Sequence, residues 1–283
     1  MPRVAIIGAG PAGLMAAEQT IAVNGVNVDI FDAMPSVGRK FLMAGKGGMN
    51  ITHSEALPAF VARYGARAPN IAPLLDTFGP QALREWIAAL GIETFVGTSG
   101  RVFPSEMKAA PLLRAWLQRL RAAGAHFHVR HRWLGWQDDG RLRFATPQGE
   151  VALQADVVIL ALGGGSWAQL GSDGAWVPLL EARGVHIQPL RPANCGFDVA
   201  WSNHFRERFA GQPVKPVVAS IGQQCQQGEF NITENGIEGG LIYALSAPLR
   251  DALERDGRAS LTLDLAPGRS LERLITELSR PQG

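Results

Sequence analysis

The sequence is poor in cysteine and in net charge. Its two cysteines, Cys195 and Cys225, form neither a CxxC pair nor a zinc-ligand spacing, which disfavours a disulfide scaffold and a metal site and makes a reducing cytoplasm the expected compartment. Lysine and arginine number 27 against 25 acidic residues, so no basic footprint for nucleic acid or for an anionic membrane stands out. The expected partner is a small molecule.

Long hydrophobic segments are also missing. The apolar run from Asp156 to Leu162 stops at strand length, well short of the roughly 20 residues that span a bilayer. At the start, Pro2-Arg3 leads directly into Val4-Ala5-Ile6-Ile7 and then glycines, which predicts a strand and a turn rather than a signal peptide. With 46% hydrophobic residues the chain can still form a sizeable core, so we expect a globular protein with no membrane segment.

The first thirty-odd residues are typical of a strand, turn, helix and second strand. Arg3 to Gly8 is patterned as a buried strand, Pro11 to about Asn24 as a helix, and Val26 to Phe31 as another strand. The turn between the first two, Gly8-Ala9-Gly10-Pro11-Ala12-Gly13, matches GxGxxG, and the second strand runs into Asp32. This context indicates a dinucleotide-binding fingerprint.

Each residue of the fingerprint has a physical role. Gly8 allows the tight turn, Gly10 lets a pyrophosphate approach the backbone, and Gly13 lets helix and strand pack closely. The helix N-terminus offers N–H groups and a positive dipole end to phosphates. Asp32 would accept hydrogen bonds from a ribose diol and disfavours a 2′-phosphate, so the nucleotide is expected to be FAD or NAD rather than NADP.

Downstream patterning predicts a mixed α/β fold. Helices are expected near 80–90 and 107–123, and Thr52-His53-Ser54-Glu55 matches a capping box that would open a short helix. Alternation from Phe127 to Gly149 predicts a β-meander, and the run 156–162 predicts a further strand. From about residue 190, scattered prolines and short strand-like runs indicate a second, more β-rich domain.

Several motifs together point to one family. They are Gly38-Arg39-Lys40 through Asn50-Ile51-Thr52, Gly100-Arg101-Val102-Phe103-Pro104, Ala161-Leu162-Gly163-Gly164-Gly165-Ser166 with Gly171-Ser172, and Gly228-Glu229-Phe230 with Gly236-Ile237-Glu238-Gly239-Gly240. In this order, over nearly the whole chain, they resemble the BaiN/YhiN-type bacterial FAD-dependent oxidoreductases, also labelled aminoacetone-oxidase-type.

The resemblance implies a flavoprotein of the type with two dinucleotide-binding domains. It implies a Rossmann-like FAD-binding domain over residues 1–190 and a partial inserted, substrate-side domain over 191–283. FAD is the implied cofactor and NAD(P)H a candidate electron donor. The resemblance also implies roles for single residues. Asp32 would bind the adenosine ribose, the backbone around Trp133 the adenine, and the pyrophosphate would be held by Gly8, Gly10, Ala12 and Gly13. The diphosphate and ribose would also contact Gly163 and Gly164, and the ribityl chain and isoalloxazine ring would contact Arg39, Lys40, Gly47, Gly48, Asn50 and Thr52.

Two departures from the family pattern affect these expectations. Met49-Asn50 stands where the family often has Cys-Asn, which removes a thiol from the flavin's vicinity. The family also continues well beyond this C-terminus, so the chain resembles a truncated member, and we expect weak FAD retention and poor solubility. The absorbance spectrum and melting curve of the purified protein test this expectation, and stoichiometric flavin with a sharp transition would contradict it.

The resemblance implies a function in hydride transfer between NAD(P)H, flavin and a small organic substrate, an enone or an amine. Two alternatives remain open from the sequence: a flavin-free NAD dehydrogenase, and a nucleotide-binding fragment without turnover. A second fingerprint at Gly163-x-Gly165-x-x-Ala168 is disfavoured because residues 171–174 interrupt the helix it would need. No catalytic side chain stands out.

A few polar residues allow more than one interpretation. Arg39 and Lys40 are either a solvated loop pair or support for phosphate or reduced flavin, and His53 is either a helix N-terminal residue or a proton donor near the flavin. His126, His128 and His131 lie close together in the sequence, yet a surface strand is expected there rather than a metal site.

Overall fold

The computed structural model describes residues 1–43 and 48–279. The chain divides into two compact units: unit 1 runs from Met1 to Leu190, and unit 2 begins at Arg191. That unit 1 is an FAD-binding domain and unit 2 a substrate-side domain stays a prediction.

Unit 1 contains ten strands and seven helices in the part of the chain that is described. The strands are β1 (Arg3–Ile7), β2 (Asn27–Asp32), β3 (Thr52–His53), β4 (Thr94–Val96), β5 (Arg101–Pro104), β6 (His126–Val129), β7 (Arg132–Trp136), β8 (Leu142–Thr146), β9 (Gly149–Leu153) and β10 (Val157–Leu160). The helices are α1 (Pro11–Ile21), α2 (Arg39–Met43), α3 (Leu57–Ala62), α4 (Ala68–Thr77), α5 (Pro80–Ala88), α6 (Ala109–Ala122) and α7 (Val177–Glu181).

The centre of unit 1 is a four-stranded parallel sheet in the order β10–β1–β2–β6. Strand β1 is its most buried member, since Val4 to Ile7 are all at most 4% exposed. Because the strands are parallel, the carboxyl ends of β10, β1 and β2 meet at one edge, where ligands bind in sheets of this kind. The parallel sheet with packed helices confirms the expected α/β, Rossmann-like fold.

Helices α1 and α6 pack in one hydrophobic core with the sheet. Leu14 and Ala17 of α1 are fully buried there, together with Trp116 and Leu120 of α6. The periodicity that predicts helices near 80–90 and 107–123 is confirmed by α5 and α6. By contrast, α3 and α4 contain no fully buried residue.

The β-meander is confirmed only in part. Strands β7, β8 and β9 form the expected antiparallel sheet. The alternation also predicts Phe127 and Val129 as part of the meander, but residues 126–129 form β6, which pairs in parallel with β2, Phe127 lying opposite Ile30. Alternating apolar residues predict a strand without specifying its neighbour, which is why the period alone placed this segment wrongly.

The predicted capping box is wrong. Thr52 and His53 form β3, which pairs antiparallel with β5, Thr52 lying opposite Val102. Helix α3 starts only at Leu57 and has no side-chain cap. The Glu55 side chain pairs with Arg63. Pairing with a strand about fifty residues away therefore overrides the local capping signal.

Unit 2 is built on a five-stranded antiparallel sheet. Its strands are β11 (Phe197–Asp198), β12 (Pro213–Ile221), β13 (Gln224–Ile232), β14 (Gly236–Glu238) and β15 (Thr262–Asp264), and its helices are α8 (Asn203–Phe209), α9 (Gly240–Ala244), α10 (Ser246–Asp256) and α11 (Leu271–Leu278). The strand order is β11–β14–β13–β12–β15. Val217, Phe230, Ile242 and Leu249 lie in its core. Across the described residues of both units, none of the helices has the length and apolar composition that crossing a bilayer requires.

One buried carboxylate links three neighbouring strands of the parallel sheet. Asp29 of β2 is 5% exposed and accepts hydrogen bonds from Arg3 Nε of β1 at 2.7 Å and from His128 Nε2 of β6 at 2.6 Å. The His128 ring stacks on Phe31 with 4.6 Å between ring centroids. The strand that carries it, β6, lies at the edge of the sheet and contains no buried residue, as expected for a surface strand. Burial raises the pKa of Asp29, but the hydrogen bonds and charges of Arg3 and His128 outweigh it and leave the pKa below its ordinary value.

Replacing Asp29 should therefore destabilise the protein in a pH-dependent way. Asp29→Asn should lower the free energy of unfolding at neutral pH by about 1–3 kcal/mol, because the buried charged acceptor of two charge-assisted hydrogen bonds is lost. A depressed carboxylate pKa stabilises the fold above the unfolded-state pKa of about 3.9 and ceases to do so as the pH falls through the folded-state value.

Denaturant unfolding at neutral pH and below a pH of about 4 would measure the effect. The difference between the variant and the wild type should shrink in acid. Asp138→Asn, at an exposed turn, is the matched control and should change stability little. An Asp29→Asn deficit that is the same at both pH values would show that the carboxylate charge is unimportant.

Candidate functional site

The predicted fingerprint turn lies between β1 and α1, at the carboxyl edge of the parallel sheet. The Gly8 N–H donates to the Phe31 carbonyl at 2.7 Å, which ties the turn to β2. A Cβ on Gly8 would lie 2.2 Å from the Ala161 carbonyl oxygen, and one on Gly13 would lie 1.8 Å from the Gly8 carbonyl oxygen. Both positions therefore require glycine, and α1 starts in direct contact with β1 and with the end of β10.

Gly10 is different from its two neighbours in the fingerprint. It occupies the N-cap of α1 with φ −81°, and among the described residues no side chain caps the helix. A Cβ built on Gly10 meets no described atom within 4 Å, so space is open directly in front of the helix N-terminus. Ala12 lies exposed in the first turn. Uncapped N–H groups and the positive end of the helix dipole make this position suited to an anion.

Asp32 is held by the same turn. Its Oδ2 accepts the Ala9 N–H at 2.9 Å and its Oδ1 accepts the Met34 N–H at 2.8 Å. Burial raises the pKa of Asp32, while the hydrogen bonds from Met34 and Ala9 and the charge of Arg39 act in the opposite direction without cancelling the rise. The carboxylate oxygens keep lone pairs for further donors such as ribose hydroxyls.

A cavity of about 240 Å³ opens beside Asp32; we call it the first cavity. The ion pair between Arg132 and Asp173, 3.0 Å from Nη1 to Oδ2, forms part of its wall. Burial raises the pKa of Asp173, but the hydrogen bonds from the Ala175 N–H and Arg132 leave it below the ordinary value. The structure thus places Trp133 at a cavity next to Asp32, whose lining also includes Ile7, Gly8, Phe31, Ala33, His131, Leu134, Leu162, Gly171, Trp176 and Leu179.

A second cavity, of about 370 Å³, continues from the first one. The two share Gly8, Asp32, Leu162 and Gly171, so they form one cleft along the carboxyl ends of β1, β2 and β10. We call it the cleft. The second cavity is also lined by Gly10, Pro11, Met34, Ser36, Gly38, Arg39, Lys40, Phe41, Ala161, Gly163, Leu170 and Ser172.

Two cations of α2 belong to the second cavity. Lys40 Nζ donates to Ser166 Oγ at 2.6 Å and lies 3.5 Å from Ser172 Oγ. Arg39 Nη1 donates to Ser36 Oγ at 3.4 Å, and its Nε is buried with no hydrogen-bond partner among the described residues. Both residues lie in α2 and line the second cavity, so they do not belong to a loop; Arg39 is half-buried and Lys40 is exposed to solvent.

The glycine turn after β10 closes the second cavity. Gly163 has φ +73°, and a Cβ there would lie 3.6 Å from Ser172 Oγ. The Gly164 carbonyl accepts the Gly174 N–H at 3.1 Å. The predicted positions 163 and 164 therefore lie in a turn that is hydrogen-bonded to the segment leading into α7.

The segment 48–52, predicted to line the flavin end, does not line either cavity. The Asn50 side chain donates from Nδ2 to the carbonyls of Thr52 and Val102, at 2.8 and 3.2 Å, and Thr52 is buried in β3. A Cβ on Gly48 would lie 2.3 Å from Met107 Cε. Gly47 lies outside the described residues. The role of these four residues at a flavin stays a prediction.

His53 is held in place by backbone groups. Its Nε2 lies 3.0 Å from the Ser99 carbonyl oxygen, and its Nδ1 accepts the Glu55 N–H at 3.1 Å. Both ring nitrogens are therefore occupied by the loop, and His53 lies at a strand end rather than at a helix N-terminus. Among the described residues, no group of three or more His, Cys, Asp or Glu side chains is arranged to hold a metal ion.

The structure adds cleft residues that the sequence did not single out for the site. Ser172 is 5% exposed and lies in the second cavity, whereas Asp173, Arg132 and His131 lie in the first. The only signal for Ser172 was its place in the Gly171-Ser172 motif. Nothing local marks Arg132 or His131, whose positions follow from the pairing of β6 with β2.

The described residues fit an adenine dinucleotide. The open space at Gly10 lies before an uncapped helix end, Asp32 offers an acceptor beside it, and Arg39 and Lys40 supply positive charge to the same cavity. The two adjoining cavities, of about 240 and 370 Å³, together reach the size that small-molecule sites have.

Comparison with known proteins assigns the chain to a protein family. The family model described as HI0933-like protein Rossmann domain matches residues 2–254. The chain is 30% identical over 274 residues to a 3-dehydro-bile acid delta(4,6)-reductase of Clostridium scindens, covering 94% of this chain and 65% of that protein. It is 25% identical over 276 residues to a ribosomal RNA dihydrouridine synthase of Haemophilus influenzae, covering 96% and 66% respectively. The chain thus spans about two thirds of the length of these curated relatives.

A solved structure supports the fold. A 3-ketosteroid-delta4-(5alpha)-dehydrogenase from Rhodococcus jostii RHA1, in complex with 4-androstene-3,17-dione, aligns with a TM-score of 0.50 and 14% identity over 65% of this chain and 55% of that chain. The family match agrees with the motifs of the sequence. The chain belongs to the HI0933-like family, which is the BaiN/YhiN-type family of FAD-dependent oxidoreductases that its motifs predict.

Proposed function

We propose that the chain binds FAD in the cleft and serves hydride transfer between NAD(P)H, the flavin and a small organic substrate. The observation that carries the proposal is the open space at Gly10, in front of an uncapped helix and beside Asp32. A side chain would fill that space, and a pyrophosphate that must touch the backbone needs it empty.

Different residues of the cleft would bind different parts of the nucleotide. The N-terminus of α1 would receive the pyrophosphate, and Asp32 would accept hydrogen bonds from the adenosine ribose. The first cavity, with Trp133 in its wall, would take the adenine. Gly163 and Gly164 would let the turn after β10 approach the cofactor without a side chain in the way.

Bound in this way, FAD would supply a ring that accepts and releases a hydride, and the protein would supply orientation and electrostatic support. Arg39 and Lys40 bring positive charge to the cofactor, which favours its anionic groups. Gly47, Gly48, Asn50 and Thr52 remain the proposed contacts of the flavin end. The proposal assigns no catalytic side chain.

The names of two relatives suggest one acceptor chemistry. A delta(4,6)-reductase of a 3-dehydro compound, by its name, acts on double bonds conjugated with a ketone. Dihydrouridine, by its name, is uridine with its ring double bond saturated, and that bond lies next to a carbonyl. Saturating such a bond takes one hydride and one proton. We therefore propose an α,β-unsaturated carbonyl compound as the acceptor; neither relative is named for an amine.

The partner and compartment remain expectations. One relative is named for ribosomal RNA, so the absence of a nucleic-acid partner is a prediction that a binding measurement has to test. The near balance of 27 basic and 25 acidic residues favours a small molecule. A cytoplasmic location also stays a prediction.

Anaerobic absorbance spectroscopy tests the redox role. With excess FAD bound to the protein, addition of NADH or NADPH should bleach the visible flavin absorbance, and an α,β-unsaturated ketone should restore it. Bleaching depends on a hydride donor reaching the bound ring, so free FAD without protein is the control. Oxidation of NADH or NADPH by the protein with no flavin bound would point instead to a flavin-free dehydrogenase. If neither the flavin absorbance nor the NAD(P)H absorbance changes with any substrate, a nucleotide-binding fragment without turnover is favoured.

A pair of glycine variants tests the binding geometry. Gly10→Ala should raise the dissociation constant for FAD at least about tenfold, a free-energy change of about 1.4 kcal/mol, because its Cβ enters the pyrophosphate space. It should change the stability of the nucleotide-free protein by less than about 1 kcal/mol, since φ is ordinary and no atom is near.

Gly13→Ala is the matched variant for a packing effect. Its Cβ would overlap the Gly8 carbonyl, so the nucleotide-free protein should lose about 1–3 kcal/mol of stability. Thermal unfolding and FAD titration of both variants measure the two effects separately. FAD binding by Gly10→Ala at wild-type strength would mean that no phosphate passes along Gly10.

A further inference from the structure

One side of unit 1 carries cations without carboxylates. Residues 33–43 and 107–137 contain neither aspartate nor glutamate. The two segments contact each other, since a Cβ on Gly38 would lie 2.7 Å from Leu113 Cδ2, and the Arg130 N–H donates to the Met34 carbonyl at 3.0 Å. Their basic residues are Arg39, Lys40, Lys108, Arg114, Arg119, Arg121, Arg130 and Arg132. The near balance of the total charge therefore conceals an uneven distribution.

Ion pairs neutralise only part of this charge. Arg119 pairs with Glu18 of α1, and Arg132 pairs with Asp173. A solvated helix face usually mixes both signs of charge, because acidic and basic residues three or four positions apart stabilise the helix, yet α6 contains no acidic residue. The exposed arginines of these segments that form no ion pair with a carboxylate among the described residues are Arg114, Arg121 and Arg130.

Arg114 and Arg121 lie on one flank of α6. Their spacing along the chain corresponds to nearly two helical turns and about 10 Å along the helix axis. The Arg121 guanidinium group lies over the Phe127 ring, 5.2 Å from the ring centroid, so this flank faces the edge strand β6. Arg119, which pairs with Glu18, lies on the opposite flank. The two arginines of α6 without an ion pair are therefore next to β6.

Arg130 directly follows the last residue of β6. Since β2 and β6 are parallel, the helix that crosses between them runs opposite to β6. The strand advances about 10 Å from Phe127 to Arg130, which equals the distance along the helix from Arg121 back to Arg114. These equal advances bring Arg130 close to the level of Arg114. We call Arg114, Arg121 and Arg130 together the basic flank.

The basic flank suits an extended polyanion. About 10 Å corresponds to roughly three nucleotides of a strand that rises 3.4 Å per nucleotide, so Arg121 at one end and Arg114 with Arg130 at the other match phosphates of one strand. Arginine is well suited to phosphate, because its guanidinium group donates two parallel hydrogen bonds. A lipid surface fits less well, since a helix that lies on a membrane exposes its apolar face, and that of α6 is buried in the core.

We propose that the basic flank binds the phosphodiester backbone of a nucleic-acid strand. Arg130 is bonded to Met34, which lines the second cavity, so a strand bound along the flank reaches the rim of the cleft. This inference goes beyond the proposed function and does not depend on FAD. It departs from the expectation of no nucleic-acid partner, because that expectation rests on total charge and not on its distribution.

Fluorescence anisotropy of the full chain with a labelled single-stranded RNA of about 12 nucleotides, long enough to cover the flank, tests the proposal. The triple variant Arg114→Gln/Arg121→Gln/Arg130→Gln should weaken RNA binding at least about tenfold at low salt. For the wild type, the logarithm of the binding constant should fall linearly with the logarithm of the salt concentration. That slope should be smaller in the triple variant by about 2, since each phosphate contact to a single strand contributes about 0.7.

Arg63→Gln/Arg67→Gln/Arg141→Gln is the matched control. It removes the same number of charges from exposed arginines of unit 1 that lie outside the basic flank, and it should bind RNA within about twofold of the wild type. The lysine variant Arg114→Lys/Arg121→Lys/Arg130→Lys, which keeps the charge, should retain most of the affinity and of the salt slope. Melting curves of all variants establish that each one folds. Single-stranded DNA of the same sequence should bind comparably, because phosphate contacts carry no base information.

Three outcomes would overturn the inference. The first is RNA binding by the glutamine triple variant at wild-type strength, and the second is an equal loss in the matched control, which would reduce the effect to total charge. The third is binding to vesicles of phosphatidylcholine and phosphatidylglycerol without binding to RNA. Binding of RNA through the basic flank by a chain that never binds FAD would support the inference and contradict the proposed function, so the two can fail independently.

Discussion

The arrangement of the cleft depends on how closely the first helix approaches the first strand. At Gly13 a single added carbon would lie 1.8 Å from the Gly8 carbonyl oxygen, and at Gly8 it would lie 2.2 Å from the Ala161 carbonyl oxygen. The absence of a side chain at both positions lets the N-terminus of α1 lie against the ends of β1 and β10. The helix dipole, Asp32 and the glycine turn after β10 meet at one edge of the sheet because that approach is possible.

The cleft combines a rigid floor with charged groups that the fold alone does not neutralise. The strands β1 and β2 at its base are almost completely buried, and the Asp32 carboxylate is held by two backbone N–H donors. Burial raises the pKa of Asp32, and the hydrogen bonds to its carboxylate compensate for this only in part. Among the residues that the structure describes, the hydrogen-bond partners of the Lys40 ammonium group are serine hydroxyls. Sites that are preorganised for a polar ligand have this character, because the ligand completes the pairing.

The sequence was sufficient to predict those elements whose formation depends on residues close together in the chain. The glycine turn, α1, the two amphipathic helices α5 and α6 and the strand ending in Asp32 follow from spacing within a few residues, and the family motifs extended this to the cofactor class. The prediction failed where a distant partner decides. Residues 126–129 join β2 rather than the meander, and Thr52 pairs with Val102 instead of capping a helix. Ser172 is separated from Lys40 by 132 positions, and no pattern within either segment indicates that their side chains meet.

Stability is not distributed evenly through unit 1. Helices α3 and α4 contain no fully buried residue, whereas α1 and β1 are anchored in the central core. Segments with few buried apolar contacts open at low free-energy cost while the core stays intact. A protease should consequently cut within residues 57–77 before it cuts in β1 or α1, and amide hydrogens of α3 and α4 should exchange with solvent well before those of β1.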